Sequence, residues 1–153
     1  MIELRAESPL YPRLIDALYG EAMILADEAR AYFDEAGRTD RDGLGPFARV
    51  SFSCESLKVT TRLMHVIAWL LTQRAVQAGE LSEDDALDPS RRLGDGPVID
   101  AALLGALPTR AQALIEASAD LHRRVARLDA AQDRTAPALS PALSMQHRLA
   151  TAF

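Results

Sequence analysis

The fold of this chain is decided by residues 55–76, which read ESLKVTTRLMHVIAWLLTQRAV. On a helical wheel, their apolar side chains cover an arc roughly twice as wide as a helix needs against one neighbour. One edge of this arc consists of Val59, Leu63, Val66 and Leu70. The other edge consists of Leu57, Met64, Ala68, Leu71 and Ala75, with Ile67 between the two. The segment therefore predicts a long helix with two partners, such as both other helices of a bundle, or one helix and another subunit.

Helical periodicity extends to both sides of this segment. Apolar residues recur at spacings of three and four, the pattern that gives an α-helix one apolar face. Pro9 favours a helix start, Gly37 and Gly79 favour helix ends, and Pro108 marks the first turn of a helix or a kink in it. The predicted helices cover residues 9–36, 51–78 and 98–131. We therefore expect an all-α fold, a three-helix antiparallel bundle in a domain over residues 1–131.

Three other segments lack this periodicity. Residues 37–46 combine three glycines, a proline and four charges, and are typical of an exposed loop. Residues 79–97 carry six acidic side chains and two arginines, so we expect a solvated acidic linker, with a docking loop as the alternative. Within this linker, a serine with an aspartate three residues later favours a short helical turn over residues 82–87. Residues 132–153 are expected to form a mobile C-terminal tail.

Length and composition are those of one ordinary folded domain. The chain has 153 residues and a formal net charge of −5, so it has no overall attraction for nucleic acid or an anionic membrane. Its most apolar stretch, Leu63–Gln73, is far shorter than the roughly 20 residues of a membrane span. The N-terminus has no signal-peptide pattern, and Cys54 is the single cysteine, which fits a reducing compartment. We expect a cytoplasmic protein without membrane contact.

The sequence contains no recognised catalytic or metal-binding pattern. His65, His122 and His147 lie on different segments, and none has a second ligand three or four positions away. Cys54 lies near the start of a predicted helix but lacks the neighbouring signature of a nucleophile. We therefore expect a protein that is not an enzyme and that uses neither a cofactor nor a metal.

Trp69 is set apart from the other apolar residues of the central helix. It projects away from the apolar arc, among Lys58, Arg62, His65 and Gln73. If this face is exposed, a tryptophan flanked by arginine has the composition of a protein-binding hot spot. The alternative is that the acidic linker or the first helix covers it. These five residues are the candidates for partner binding, with both interpretations open.

The central helix, continued by AGEL at residues 78–81, resembles the family of the regulator of CtrA degradation, as does LHRRVARLD at residues 121–129. The resemblance covers about residues 8–129, and its specific part is residues 55–81. It implies a three-helix protein that dimerises, has a flexible C-terminal tail and catalyses nothing. It also implies an alphaproteobacterial adaptor that brings cargo, such as cell-cycle transcriptional regulators, to a primed ClpXP protease.

The function implied by the resemblance is thus delivery of cargo, with ClpXP, its priming factor, cargo regulators and a second copy as partners. A tether between cargo and protease raises the local concentration of cargo. The alternative function is a helical nucleic-acid-binding regulator, for which Arg123, Arg124 and Arg127 are the one basic cluster. The side chains expected in the core or at the dimer contact are Leu57, Leu63, Met64, Val66, Ile67, Leu70 and Leu71.

Overall fold

The computed structural model of the protein describes residues 10–135, 149, 150 and 152. Six α-helices lie between residues 10 and 135, and no β-strand is found in that part of the chain. A π-helical turn, Tyr32–Ala36, joins the first two helices, and a 3₁₀ turn covers Pro89–Arg91. The α-helices are α1 (Leu10–Ala31), α2 (Gly37–Asp42), α3 (Pro46–Gln77), α4 (Glu83–Ala86), α5 (Ala101–Leu104) and α6 (Thr109–Thr135).

The first helical segment of the chain extends beyond the end that Gly37 predicts. It continues through the π-helical turn and α2 to Asp42, so the predicted stop at Gly37 and the predicted loop over residues 37–46 are wrong. Gly37 has an ordinary helical φ of −74°. A Cβ atom at this position would lie 2.6 Å from the carbonyl oxygen of Tyr32. Gly37 is therefore required for close packing and not for a helix end.

The central helix, α3, begins at Pro46 and ends at Gln77, whereas the predicted helix began at residue 51. Proline is suited to the first turn because the missing N–H would have no partner inside the helix. At the other end, Gly79 adopts a φ of 76°, the left-handed conformation that commonly follows a helix. The predicted end of this helix is therefore correct to within one residue.

The third long helix, α6, starts later and ends later than predicted. Residues 98–100 are not helical, α5 is a separate short helix, and α6 begins directly after Pro108. The predicted start at residue 98 is wrong, and the alternative that Pro108 marks the start of the helix describes the structure, because proline disfavours helical backbone at the residue before it. Residues 132–135 continue α6. The rest of the predicted C-terminal tail lies outside the described residues, apart from 149, 150 and 152.

The three long helices α1, α3 and α6 form a bundle, which confirms the predicted fold class. At one end, the Tyr11 hydroxyl donates to Gln73 Oε1 at 2.7 Å, and Gln132 Nε2 donates to the Tyr11 hydroxyl at 3.1 Å. At the other end, the rings of Tyr32 and Phe52 lie 6.1 Å apart. Thus α1 runs antiparallel to α3 and α6, as predicted, but α3 and α6 run parallel to each other, so the predicted antiparallel arrangement is wrong for this pair. The connection from α3 to α6 must therefore return along the bundle.

The core is formed by the apolar faces of the three long helices. It also contains buried polar side chains, and four of them, Glu55, Arg62, His122 and Asp129, are directed at the connection between α3 and α6. Burying polar or charged groups is unfavourable unless they find partners. The fully buried apolar side chains include Ile15, Ala22, Val59, Val66, Leu70, Ala111, Ile115, Leu121 and Val125.

Candidate interaction surface

An exposed apolar row lies along α3, on the side away from the bundle. Val50, Leu57, Met64 and Leu71 are spaced seven residues apart and are 63%, 68%, 63% and 47% exposed. Phe47, three residues before Val50, is 73% exposed. The α3 stripe is the set Phe47, Val50, Cys54, Leu57, Thr61, Met64, Ala68 and Leu71. Its alternating three- and four-residue steps are those of a coiled-coil contact face.

The bundle buries only one edge of the wide apolar arc predicted for this helix. Leu63, Val66 and Leu70, which were predicted to be packed, are 3% exposed or less, and this prediction is confirmed. Ile67 is half-buried. Leu57, Met64 and Leu71, predicted in the core or at a dimer contact, are exposed in the bundle and belong to the α3 stripe. The two other helices therefore do not cover the whole arc, and a contact with another subunit stays a prediction.

Trp69 is buried, so of the two interpretations left open for it, the exposed hot spot does not describe the structure. The side chain is 2% exposed, and its indole Nε1 donates to Asp129 Oδ1 at 2.9 Å. Arg62 and Gln73, predicted to bind a partner on the same face, are 1% and 4% exposed. Lys58 is half-buried and His65 is exposed. The alternative prediction, that the acidic linker covers this face, describes the structure.

The covering segment consists of residues 89–100, here called the strap. Arg92 attaches its first half to α6: Nε lies 2.7 Å from Asp129 Oδ1, and Nη2 lies 2.8 Å from Asp133 Oδ2. The carboxylates of Asp133 and Asp129 raise the pKa of Arg92, and Arg92 in turn lowers the pKa of Asp133. These charge-assisted hydrogen bonds fix the strap beside Trp69.

The second half of the strap is attached to α3 through its backbone. Arg62 donates from Nε and Nη2 to the Pro97 carbonyl oxygen, at 3.1 and 3.0 Å. Lys58 Nζ donates to the Val98 carbonyl oxygen at 2.9 Å, and the Asp100 N–H donates to Glu55 Oε1 at 3.2 Å. Burial lowers the pKa of Arg62, while Glu55 opposes this shift. Buried charges on α3 thus satisfy backbone groups of an extended segment.

These contacts revise the predicted acidic linker over residues 79–97. Its first half contains the predicted short helical turn, α4, where the Asp85 N–H donates to Ser82 Oγ at 3.0 Å. Its second half is not a solvated linker, because the strap packs along α3 and α6. Composition alone did not reveal this packing, since the strap carries only a few apolar residues. One feature of the sequence could have predicted this packing. Arg62, Trp69 and Gln73, whose side chains can all form hydrogen bonds, share a helix face with the core residue Val66.

The basic cluster on α6 does not form a free positive patch. Arg124 forms ion pairs with Glu21 and with Asp120, the second at 3.0 Å. Arg123 lies 3.4 Å from Asp120. Acidic groups therefore compensate two of the three arginines on which the nucleic-acid alternative depends.

The described residues contain no group of three or more His, Cys, Asp or Glu side chains that could hold a metal ion. Cys54 is exposed and lies on the α3 stripe. None of the helices between residues 10 and 135 combines the length and hydropathy needed to cross a bilayer. The α3 stripe is an exposed apolar face of the kind suited to contact with another protein.

Comparison with known proteins places the chain in a family. A family model described as a protein of unknown function (DUF1465) matches residues 6–153. The chain belongs to this RcdA-like family. In the crystal structure of RcdA from Caulobacter crescentus CB15, the similar chain shares 35% sequence identity, with a TM-score of 0.64. The match covers 78% of this chain and 90% of that chain. No curated protein matches the sequence.

Membership of the RcdA-like family confirms the resemblance carried by residues 55–81 and 121–129. The α3 stripe and the strap both lie within the residues that the family model matches. The parallel arrangement of α3 and α6 is possible because the connection that contains the strap returns along the bundle from the end of α3 to the start of α6.

Proposed function

We propose that this RcdA-like protein is a non-enzymatic adaptor that delivers cargo, such as cell-cycle transcriptional regulators, to ClpXP and its priming factor in the cytoplasm. The observation that carries this proposal is the 35% identity to RcdA over 90% of that chain. The α3 stripe supports it, because an exposed apolar face of this length is a feature of proteins that bind other proteins. An adaptor acts by holding cargo close to the protease, so it needs contact surfaces and no reacting groups.

The proposal includes a homodimer formed through the α3 stripe. Coiled-coil spacing allows the apolar side chains of one α3 to pack between those of a second copy. Among the residues that flank the stripe, only some, including Ser53, Thr60 and Thr72, are uncharged and small enough to permit close approach of two helices. The same helix therefore supplies the core of one bundle and the contact with another.

Light scattering tests the dimer. We expect the natural chain to have the mass of two copies at micromolar concentration, and Met64→Asp to have the mass of one, because the carboxylate would lie unpaired in the contact. The matched control is Ile24→Asp, since Ile24 on α1 is 62% exposed and Met64 is 63% exposed. A monomeric natural chain, or equal loss of the dimer in both variants, would show that the stripe is not the contact.

A degradation assay with purified components tests the delivery function. The reaction contains ClpXP, its priming factor, ATP and a candidate cargo, with or without this protein. We expect the protein to shorten the half-life of a cargo and to have no effect in the absence of the priming factor. An unchanged half-life across several cell-cycle regulators would count against an adaptor.

A further inference from the structure

The strap covers a histidine that has an incomplete set of hydrogen bonds. His122 on α6 is 8% exposed, and its Nε2 atom is buried without a hydrogen-bond partner. Gly96 of the strap lies against the imidazole, since a Cβ atom at Gly96 would be 3.0 Å from Nε2. A neutral imidazole tolerates an unpaired acceptor nitrogen, but a protonated imidazole would place a buried N–H there with no acceptor.

The charges around His122 oppose its protonation in the closed strap. Burial is the largest cause that lowers its pKa, and a hydrogen bond with the backbone of Gly94 raises it. On α3, His65 and Arg62 lower the pKa further, while Asp95 of the strap raises it. On α6, Arg123 lines the same cavity of about 300 Å³ as His122. The net result is a lowered pKa.

The strap is attached to the bundle more by hydrogen bonds than by buried apolar contacts. Its attachments to the bundle are mainly hydrogen bonds from Arg62, Lys58 and Arg92, and two of its residues next to His122 are glycines. Its apolar residues Leu93 and Ile99 are only half-buried. Segments with few buried apolar contacts open at lower free energy than helices in the core.

We propose that the strap is a pH-sensitive cover, which closes over α3 and α6 when His122 is neutral and opens when His122 is protonated. Opening exposes the Trp69 face, with Arg62 beneath the strap and His65 at its edge. Tryptophan and arginine are enriched in protein-binding hot spots. The Trp69 face would therefore be accessible to a partner only when the strap is open. The strap would open and close in this way whatever the function of the bundle.

The direction of the pH effect follows from linkage. His122 has a lower pKa when the strap is closed than when it is open and the imidazole reaches water. The closed state therefore has its full stability above the ordinary histidine pKa of 6.5. Closed-state stability is lost as the pH falls below this value, because the open state then binds the proton more strongly.

Trp69 makes the opening measurable, since it is the one tryptophan of the chain. Quenching of its fluorescence by acrylamide reports solvent access, and far-UV circular dichroism reports the helices. Lowering the pH from 7.5 to 5.5 should raise the ratio of open to closed states by up to about tenfold, so we expect the quenching constant of the natural chain to increase with unchanged helicity. In His122→Asn, which cannot be protonated, the constant should stay at its pH 7.5 value throughout.

Two further variants make the test decisive. His65→Gln removes the exposed histidine on the same side of α3 and should retain most of the pH response, because burial is the larger cause of the lowered pKa of His122. Gly96→Ala places a methyl group against the imidazole, so it should raise the quenching constant at pH 7.5 as well. The proposal is overturned if the natural chain shows no pH response, if His122→Asn responds equally, or if helicity is lost together with the rise in quenching.

Discussion

Adjacent residues of α3 have opposite surroundings, and this contrast determines what each contributes. Leu70 is fully buried between the helices, whereas Leu71 is 47% exposed on the α3 stripe. Both belong to the apolar arc that the sequence predicts, so hydrophobicity alone does not separate them. Only the position of α1 and α6 decides which leucine contributes to the stability of one chain and which is available to a partner.

The pair Leu70→Ala and Leu71→Ala tests this contrast. Leu70→Ala should lower the free energy of unfolding by about 2–5 kcal/mol, because it leaves a cavity in the core. Leu71→Ala should change it by less than about 0.5 kcal/mol when the protein is dilute enough to be monomeric. Urea denaturation followed by circular dichroism measures both. Similar losses for the two variants would contradict the assignment of Leu71 to the surface.

At the scale of helices, the sequence predicts the three long helices well and the residues at which they begin and end less well. Periodicity of three and four residues located α1, α3 and α6, since each buries one continuous face. Gly37 was misinterpreted because its role is close packing against Tyr32, which depends on a helix continuing beyond it. The sequence leaves open whether the strap covers α3, because the contacts of the strap use backbone carbonyls and buried charges, and such contacts have no sequence period.

Substitution of Gly37 and Gly43 separates the two roles of glycine in this region. Gly37→Ala should destabilise the protein by about 1–3 kcal/mol, because the added methyl group overlaps the Tyr32 carbonyl oxygen. Gly43 has a helical φ of −78°, and a Cβ there would be 3.6 Å from its nearest neighbour. Gly43→Ala should therefore stabilise the protein by about 0.4–1 kcal/mol. Thermal melting measures both, and a stabilising Gly37→Ala would refute the packing role.

For the whole molecule, the sequence predicted the bundle, while the candidate surface required the structure. Trp69, Arg62 and Gln73 looked like a binding face on the helical wheel, but they lie beneath the strap. Of the apolar residues expected in the core or at a dimer contact, Leu57, Met64 and Leu71 lie on the exposed α3 stripe, and their contact with a second copy stays a prediction. A helical wheel shows which side chains share a face, but it does not show which face a distant segment of the chain covers.

The function proposed for the molecule is delivery of cargo, and this delivery is proposed to depend on the α3 stripe. The most direct measurement is the half-life of a cargo regulator with purified ClpXP and priming factor, in the presence of the natural chain, Met64→Asp or Ile24→Asp. The natural chain and Ile24→Asp should shorten the half-life equally, and Met64→Asp should shorten it less. A half-life that none of the three proteins changes would contradict the adaptor function, and equal activity of all three would contradict the role of the stripe.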